Sequence, residues 1–348
     1  MKMLVVSPSW IGDTVMSHSM YRLLINKYCS SVQIDVITST WCKDLFNYMP
    51  EVNRTLFIPY RHGVLELAKC FRLGKVLKNE KYQQAIILPN SFKSALIPFF
   101  ADVPIRTGWR GEMRYGVIND LRILKFESFP LMVQRYAALA YDSNIIKNFC
   151  DLPSPLLWPH LNINKKEIED VLCKFNLDNH KKLLIGLCPG SGFGLSKSWP
   201  HYHYVALAIQ LIYCGYHVVI LGSSKDQLID TCIEYSILKN LKQHYDNLIG
   251  ITSLSEAIAI IAACKGIVSN DSGLMHIACA LKCPVVGLYG DLSDPNFTPP
   301  LFRQSIVIRC IKGCYTMRKD RTLHNGYHSS LINITPDQVL KALKKLLN

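Results

Sequence analysis

The most suggestive chemistry begins at Gly266-Ile-Val-Ser-Asn270-Asp271-Ser272-Gly273-Leu-Met-His276, a short apolar run followed by a polar turn and a helix-like start. Asn270 or Asp271 suits the N-cap, and Gly273 lets the backbone turn tightly against a ligand. A helix opening this way directs unpaired N–H groups and the positive end of its dipole at the turn, which favours a phosphate. His276 falls one turn in, close to whatever binds. An ordinary strand–turn–helix reads the same way, so the other loops must decide.

Residues 188–200 follow an earlier apolar run and are rich in Gly and Ser, with Ser191 and one lysine, Lys197. Glycines admit a phosphate to the backbone, and lysine supplies a point charge. The pattern is neither GxxxxGK[ST] nor GxGxxG, so neither a P-loop nor a dinucleotide fingerprint is supported. Gly222-Ser-Ser224-Lys-Asp226 closes the next apolar run and could set Ser224 or Asp226 beside a ribose. Three such loops at one sheet edge suit a nucleotide diphosphate.

The first half offers different chemistry. Ser9-Trp10-Ile-Gly-Asp13-Thr14 joins the first apolar run to the first helical stretch, so Asp13 lies at a strand's carboxyl end. An aspartate there serves as a cap or, within reach of a substrate hydroxyl, as a general base. Residues 88–94, with Asn90 and Lys93, and 107–115, with Trp109, Arg110, Arg114 and Tyr115, are polar, aromatic and basic. Aromatic faces and arginine forks suit a sugar or phosphosugar. Structural roles for Trp109 and Tyr115 fit equally well.

The elements that must position these residues alternate. Strand-like runs at 4–7, 32–37, 55–59 and 85–88 are interleaved with helical patterns at 14–28, 64–79 and 91–99, and a longer helix is expected over 131–148. Three prolines within 151–160 make an extended linker. The rhythm restarts with strands at 183–187, 218–222, 266–269 and 284–288 and helices at 202–214, 226–238 and 254–264, closing on a helix at about 336–347. Such alternation predicts parallel sheets covered by helices on both faces. The expected domains are 1–155 and 156–348, with a cleft between two similar α/β halves and the last helix able to pack back on the first.

A chain of 348 residues, 49% hydrophobic and 19% charged, is a folded protein of two ordinary domains. No apolar run approaches the roughly 18 residues of a spanning helix, and the N-terminal run is too short for a signal peptide, so a cytoplasmic chain is expected. The 13 cysteines are scattered, and those at 173, 188, 214, 264 and 279 sit in apolar surroundings, as core thiols do. The CxxxC pairs Cys279/Cys283 and Cys310/Cys314 lack zinc-site spacing, so no metal is expected. The net charge of +13 is shared between the halves. Lys69, Arg72, Lys75 and Lys78 recur along a predicted helix, and Arg106, Arg110 and Arg114 crowd one loop. Anionic lipid, nucleic acid or a phosphorylated substrate could use such patches, and a solvated basic face is the alternative.

Taken together, Pro8-Ser-Trp-Ile-Gly-Asp13, Leu88-Pro-Asn-Ser-Phe-Lys-Ser-Ala95, Arg106-Thr-Gly-Trp-Arg-Gly-Glu-Met-Arg-Tyr115, Trp199-Pro-His-Tyr-His-Tyr204 and Asn270-Asp-Ser-Gly-Leu-Met-His276 resemble the ADP-heptose–lipopolysaccharide heptosyltransferases, essentially end to end. The resemblance implies a GT-B fold of two Rossmann-like α/β domains. It implies transfer of L-glycero-D-manno-heptose from ADP-heptose to the first heptose of a Kdo-lipid A core, with inversion. In such enzymes the Gly-Asp at the first helix supplies the base, here Asp13. The Gly/Ser-loop lysine and the Asp-Ser-Gly turn hold the donor diphosphate, here Lys197 and Asp271 to Gly273. An acidic residue lies near the donor ribose, where this chain has Ser223-Ser224-Lys225-Asp226. The second half contains no DxD pair, so no divalent cation is invoked. The basic patches would then face a phosphorylated glycolipid at the inner leaflet of the cytoplasmic membrane, giving peripheral attachment. Two competing readings are a sugar-nucleotide epimerase of the same architecture and a nucleic-acid-binding protein. For the second, the chain has no recognised module or concentrated basic domain.

Overall fold

A computed structural model describes residues 1–29, 31–58, 64, 66–180, 183–192, 194–226, 239–310, 323–324 and 326–348. The chain divides into two units, Met1–Pro159 and His160–Asn348, and the division falls inside the proline-rich segment.

The first unit contains β1 (Lys2–Val6), α1 (Ile11–Lys27), β2 (Gln33–Thr38), β3 (Arg54–Phe57), α2 (Leu67–Lys78), β4 (Gln84–Ile87), α3 (Phe92–Phe100), β5 (Ile105–Trp109), β6 (Asp120–Arg122) and α4 (Met132–Ala138), with a 3₁₀ segment at Thr40–Tyr48 after β2. Its six strands are parallel in the order β3-β2-β1-β4-β5-β6. Met3, Leu4, Val5 and Val6 are all fully buried, as expected of a central strand covered on both faces.

The second unit contains α5 (Lys165–Lys174), β7 (Leu184–Cys188), α6 (His201–Tyr213), β8 (His217–Ile220), β9 (Tyr245–Asn247), α7 (Leu254–Ala263), β10 (Gly266–Asn270), α8 (Gly273–Ala280), β11 (Val285–Tyr289), β12 (Ser305–Arg309), β13 (Leu323–His324), β14 (Tyr327–His328), α9 (Ser329–Ile332) and α10 (Pro336–Leu347). Its larger sheet, also parallel, runs β12-β11-β10-β7-β8-β9. Counted from its own first strand, β7, this is the same order as in the first unit. The order reverses between β1 and β4 and again between β7 and β10. In open parallel sheets such a switch point leaves a crevice beyond the strands' carboxyl ends, where ligands bind.

Several expectations are corrected. The long helix over 131–148 is the short α4, because Asp142-Ser-Asn144 breaks the pattern. Ile145 N–H bonds to the Asp142 carbonyl at 3.0 Å in a turn. Residues 107–109, read as loop, complete β5, and β6, β9 and β12 were not foreseen. The last helix packs within the second unit, against α6 and β10–β12. Thr335 and Gln338 cap it reciprocally, and it buries Val339 and Leu343. Gly266 permits this approach: a Cβ there would lie 2.9 Å from Leu343 Cδ1. Cys188, Cys264, Cys279 and Cys283 are buried free thiols whose pKa values burial pushes up, whereas Cys173 and Cys214 are exposed. The helix expected at 226–238, beyond its first residue, and Cys314 lie outside the described residues.

Candidate functional site: two switch points with different chemistry

In the second unit, the loop after β7 and the turn after β10 are tied by one buried side chain. Asn270 ends β10, accepts the Trp199 N–H at 2.9 Å and donates from Nδ2 to the Pro189 carbonyl at 2.8 Å. It therefore pins both ends of the 189–199 loop, which carries Ser191 and the half-buried Lys197. Lys197 Nζ lies 4.0 Å from Asp271 Oδ2, and His276 Nε2 lies 3.8 Å from Asp271 Oδ1. His276 is buried, which lowers its pKa against the opposing pull of Asp271, so the imidazole is neutral at pH 7. Ser272, not Asn270 or Asp271, occupies the N-cap of α8, and its hydroxyl pairs with Ser269 Oγ at 3.0 Å rather than capping the helix. The first N–H groups of α8 therefore open on the turn that Lys197 borders.

The third loop joins through Asp226. Its Oδ2 accepts the Ser223 N–H and hydroxyl, each at 2.8 Å, and stands where a Cβ on residue 190 would be, 2.5 Å away. Only glycine at 190 allows that contact. Ser224 is exposed on the same short 3₁₀ turn. The three loops expected at one sheet edge thus meet there, with a cation and a helix start suited to a diphosphate.

In the first unit, a cavity of about 1130 Å³ opens at the β1/β4 switch point and is bordered by Asp13, Asn90, Lys93, Trp109 and Arg110. Trp10 is the N-cap of α1, so Asp13 stands inside the first turn, where a carboxylate complements the dipole. Asp13 Oδ1 accepts the Tyr136 hydroxyl at 3.3 Å. Burial raises the Tyr136 pKa well above that of free tyrosine, and the charge of Asp13 raises it further. Trp10 and Trp41, each about half exposed, line the cavity, and Trp41 Nε1 donates to the Ser9 carbonyl at 2.6 Å. Lys93 Nζ donates to the Val64 carbonyl at 3.2 Å, and the Arg135 guanidinium lies 4.8 Å over the Phe126 ring. Two carboxylates, Asp13 and Glu112, the latter accepting the Phe92 N–H at 2.6 Å, stand among cations and aromatic faces, a lining that suits a polyhydroxylated acceptor.

A family model for glycosyltransferase family 9 (heptosyltransferase) matches residues 70–328. The chain belongs to this family. It is 51% identical to lipopolysaccharide heptosyltransferase 2 of Salmonella typhimurium strain LT2, covering 100% of this chain and 99% of the relative. It is 50% identical to the protein of the same name from Escherichia coli strain K12, over 100% and 99% of the two chains. A solved structure of the E. coli ADP-heptose lipopolysaccharide heptosyltransferase II superposes with a TM-score of 0.91 at 48% identity, covering 100% of this chain and 98% of that one. The fold is accordingly of the GT-B type, with two Rossmann-like units.

Within this family 9 chain, Arg114 departs from the sequence expectation. It was read as an acceptor-binding fork, but it is 1% exposed and does not border the cavity. Its guanidinium donates to the carbonyls of Pro89 (2.6 Å) and Trp109 (2.5 Å) and to Asn90 Oδ1 (3.2 Å). Burial pulls its pKa down to about 10. It braces the loops after β4 and β5, as Asn270 braces those of the second unit. Trp109 is likewise largely buried, with Nε1 donating to the Arg135 carbonyl at 3.1 Å. Tyr136, Arg135 and Trp41 were missed as site residues. Their signal would have been an aromatic–basic pattern on α4 and after β2, but nothing local links them to Asp13. Among the described residues, no group of three or more His, Cys, Asp or Glu side chains is arranged to hold a metal.

Proposed function

We propose that this chain is an inverting glycosyltransferase of lipopolysaccharide assembly, moving L-glycero-D-manno-heptose from ADP-heptose to the first heptose of the Kdo-lipid A core. The full-length similarity to relatives named heptosyltransferase 2 carries this reading, and the two switch-point sites agree with it. The acceptor hydroxyl has a very high pKa, so Asp13 takes its proton as the new C–O bond forms at the anomeric carbon. The bond from that carbon to the diphosphate breaks, and ADP leaves with the electron pair. Lys197 and the amides of Ser272 and Gly273 at the start of α8 stabilise the charge that develops. Neutral His276 adjoins Asp271 without adding a cation. Asp226 and Ser224 are the candidates beside the ribose, while Asn90, Lys93 and Arg110 receive the acceptor. No cofactor is invoked: the charge on the departing ADP is assigned to these side chains and amides.

Because the acceptor is a glycolipid, we further assign peripheral attachment at the inner face of the cytoplasmic membrane. No helix of the described residues is long and apolar enough to cross a membrane. On α2, Lys69 pairs with Glu66 and Lys78 with Asp102, so these two cations are partly spent within the protein. Arg72 and Lys75 remain exposed beside Phe71 and Val76, which are 46% and 66% exposed. Cations set among apolar side chains favour an anionic interface. The deciding experiment is mass-spectrometric detection of one heptose added to a mono-heptosylated core acceptor from ADP-heptose. An unmodified acceptor, or isomerised nucleotide sugar formed without acceptor, would refute the assignment, the second outcome in favour of an epimerase.

A further inference from the structure

We infer that Tyr136 is a positioning residue for the Asp13 carboxylate, an inference that rests on Asp13 being the base. The hydroxyl of Tyr136 donates to Asp13 Oδ1 at 3.3 Å across the packed pair α1 and α4, 123 residues apart in sequence. Tyr136 borders the cavity yet is only 6% exposed, so its ring is fixed by packing while its hydroxyl reaches the reacting group. Burial and the adjacent carboxylate keep that hydroxyl protonated, so toward Asp13 it acts only as a donor. The other titratable groups about the pair are Tyr21 on α1, Cys42 on the 3₁₀ segment after β2 and Arg135 beside Tyr136 on α4. The bond restrains the Oδ1 side of the Asp13 carboxylate, and proton transfer depends steeply on that geometry.

Tyr136→Phe removes the hydroxyl and keeps the ring. Two opposing effects follow. The carboxylate loses a donor to its charged form, which raises its pKa and makes it a slightly stronger base, a gain of about threefold or less. It also loses its orientation, which can cost up to about 100-fold. The expected net result is a roughly tenfold fall in kcat, with KM for donor and acceptor within about twofold of wild type. The acidic limb of the pH–rate profile should move to higher pH.

The test measures kcat, both KM values and that limb in Tyr136→Phe, in Asp13→Asn and in the double variant. Support is the stated fall in kcat together with no further fall when Tyr136→Phe is added to Asp13→Asn. An equal fall in both backgrounds, or an unmoved limb with near-normal kcat in folded protein, overturns the inference. Near-normal turnover of Asp13→Asn removes the base itself and the inference with it, whereas an inactive Asp13→Asn beside a normal Tyr136→Phe removes only the inference. If Tyr136→Phe fails to fold, 3-fluorotyrosine at position 136 strengthens the donor without changing the packing. The limb should then move to lower pH, and an unmoved limb overturns the inference.

Discussion

Replacing Asn270 with Ala tests whether one buried amide holds the donor loop. The substitution leaves the Trp199 N–H and the Pro189 carbonyl without their partners in a region where Asn270 is fully buried. Each unsatisfied buried group costs about 1–3 kcal/mol, and a water entering the vacated space would recover part of that, so a loss of about 3 kcal/mol is expected. At roughly 2 cal/mol/K of unfolding entropy per residue, the second unit, His160–Asn348, should melt about 8 °C lower. Because the same amide pins both ends of residues 189–199, the Kd for ADP should rise about tenfold or more. Asn270→Asp separates the two bonds. Its carboxylate can still accept from Trp199 but meets the Pro189 carbonyl oxygen to oxygen, which raises its folded-state pKa above the unfolded value of about 4. The folded variant then binds more protons than the unfolded one between those two pKa values. Its stability should therefore fall as pH rises through that window and recover in acid, where the protonated carboxyl can donate to Pro189. Differential scanning calorimetry across pH with ADP titration reads both effects. A Tm within about a degree of wild type and unchanged ADP affinity for Asn270→Ala would refute this account of the loop.

Asp13→Asn should lower turnover roughly 10²–10⁴-fold while ADP-heptose affinity changes little, and a kcat within a fewfold of wild type would remove Asp13 as the base. ADP should raise the melting temperature more than UDP, and Lys197→Glu should abolish most of that rise by exchanging a cation for repulsion. A thermal-shift screen in which UDP matches ADP, or in which the Lys197 variant binds ADP normally, contradicts the donor site. Arg72→Gln with Lys75→Gln should weaken sedimentation with anionic vesicles about tenfold at low salt, less as salt rises, while the Lys69 and Lys78 replacements do less. Equal effects at all four positions would show that the ion pairs with Glu66 and Asp102 do not spend those charges.

Local signals were legible where the chemistry is local. Alternating apolar runs, the proline-rich segment and the Gly/Ser turns marked two α/β units and put Asp13, Lys197 and Asp271 beyond strand ends and His276 one turn into a helix, because strand period, turn type and helix start depend on neighbours within a few residues. The same locality explains the misses. Arg114 carries the residue type of an anion fork, but whether an arginine meets a ligand or its own backbone depends on what folds over it. Here the loops after β4 and β5 close over it, so its donors go to carbonyls.

The shared strand order of the two sheets was beyond the sequence for a related reason. Each βα unit reads alike in sequence, and only side-by-side pairing of β1 with β4 and of β7 with β10 creates the switch points. Asn270 depends on the β7–β10 pairing, and Tyr136 on the packing of α4 against α1. Their partners lie 71 and 123 residues away, respectively, and an amide or a phenol becomes a brace only where burial removes the water that would otherwise satisfy it. The sequence by itself determined which groups stand at the strand ends. The tertiary structure decided which of them border an open crevice and which hold the others in place, because burial and hydrogen-bond partners come from parts of the chain far apart in sequence.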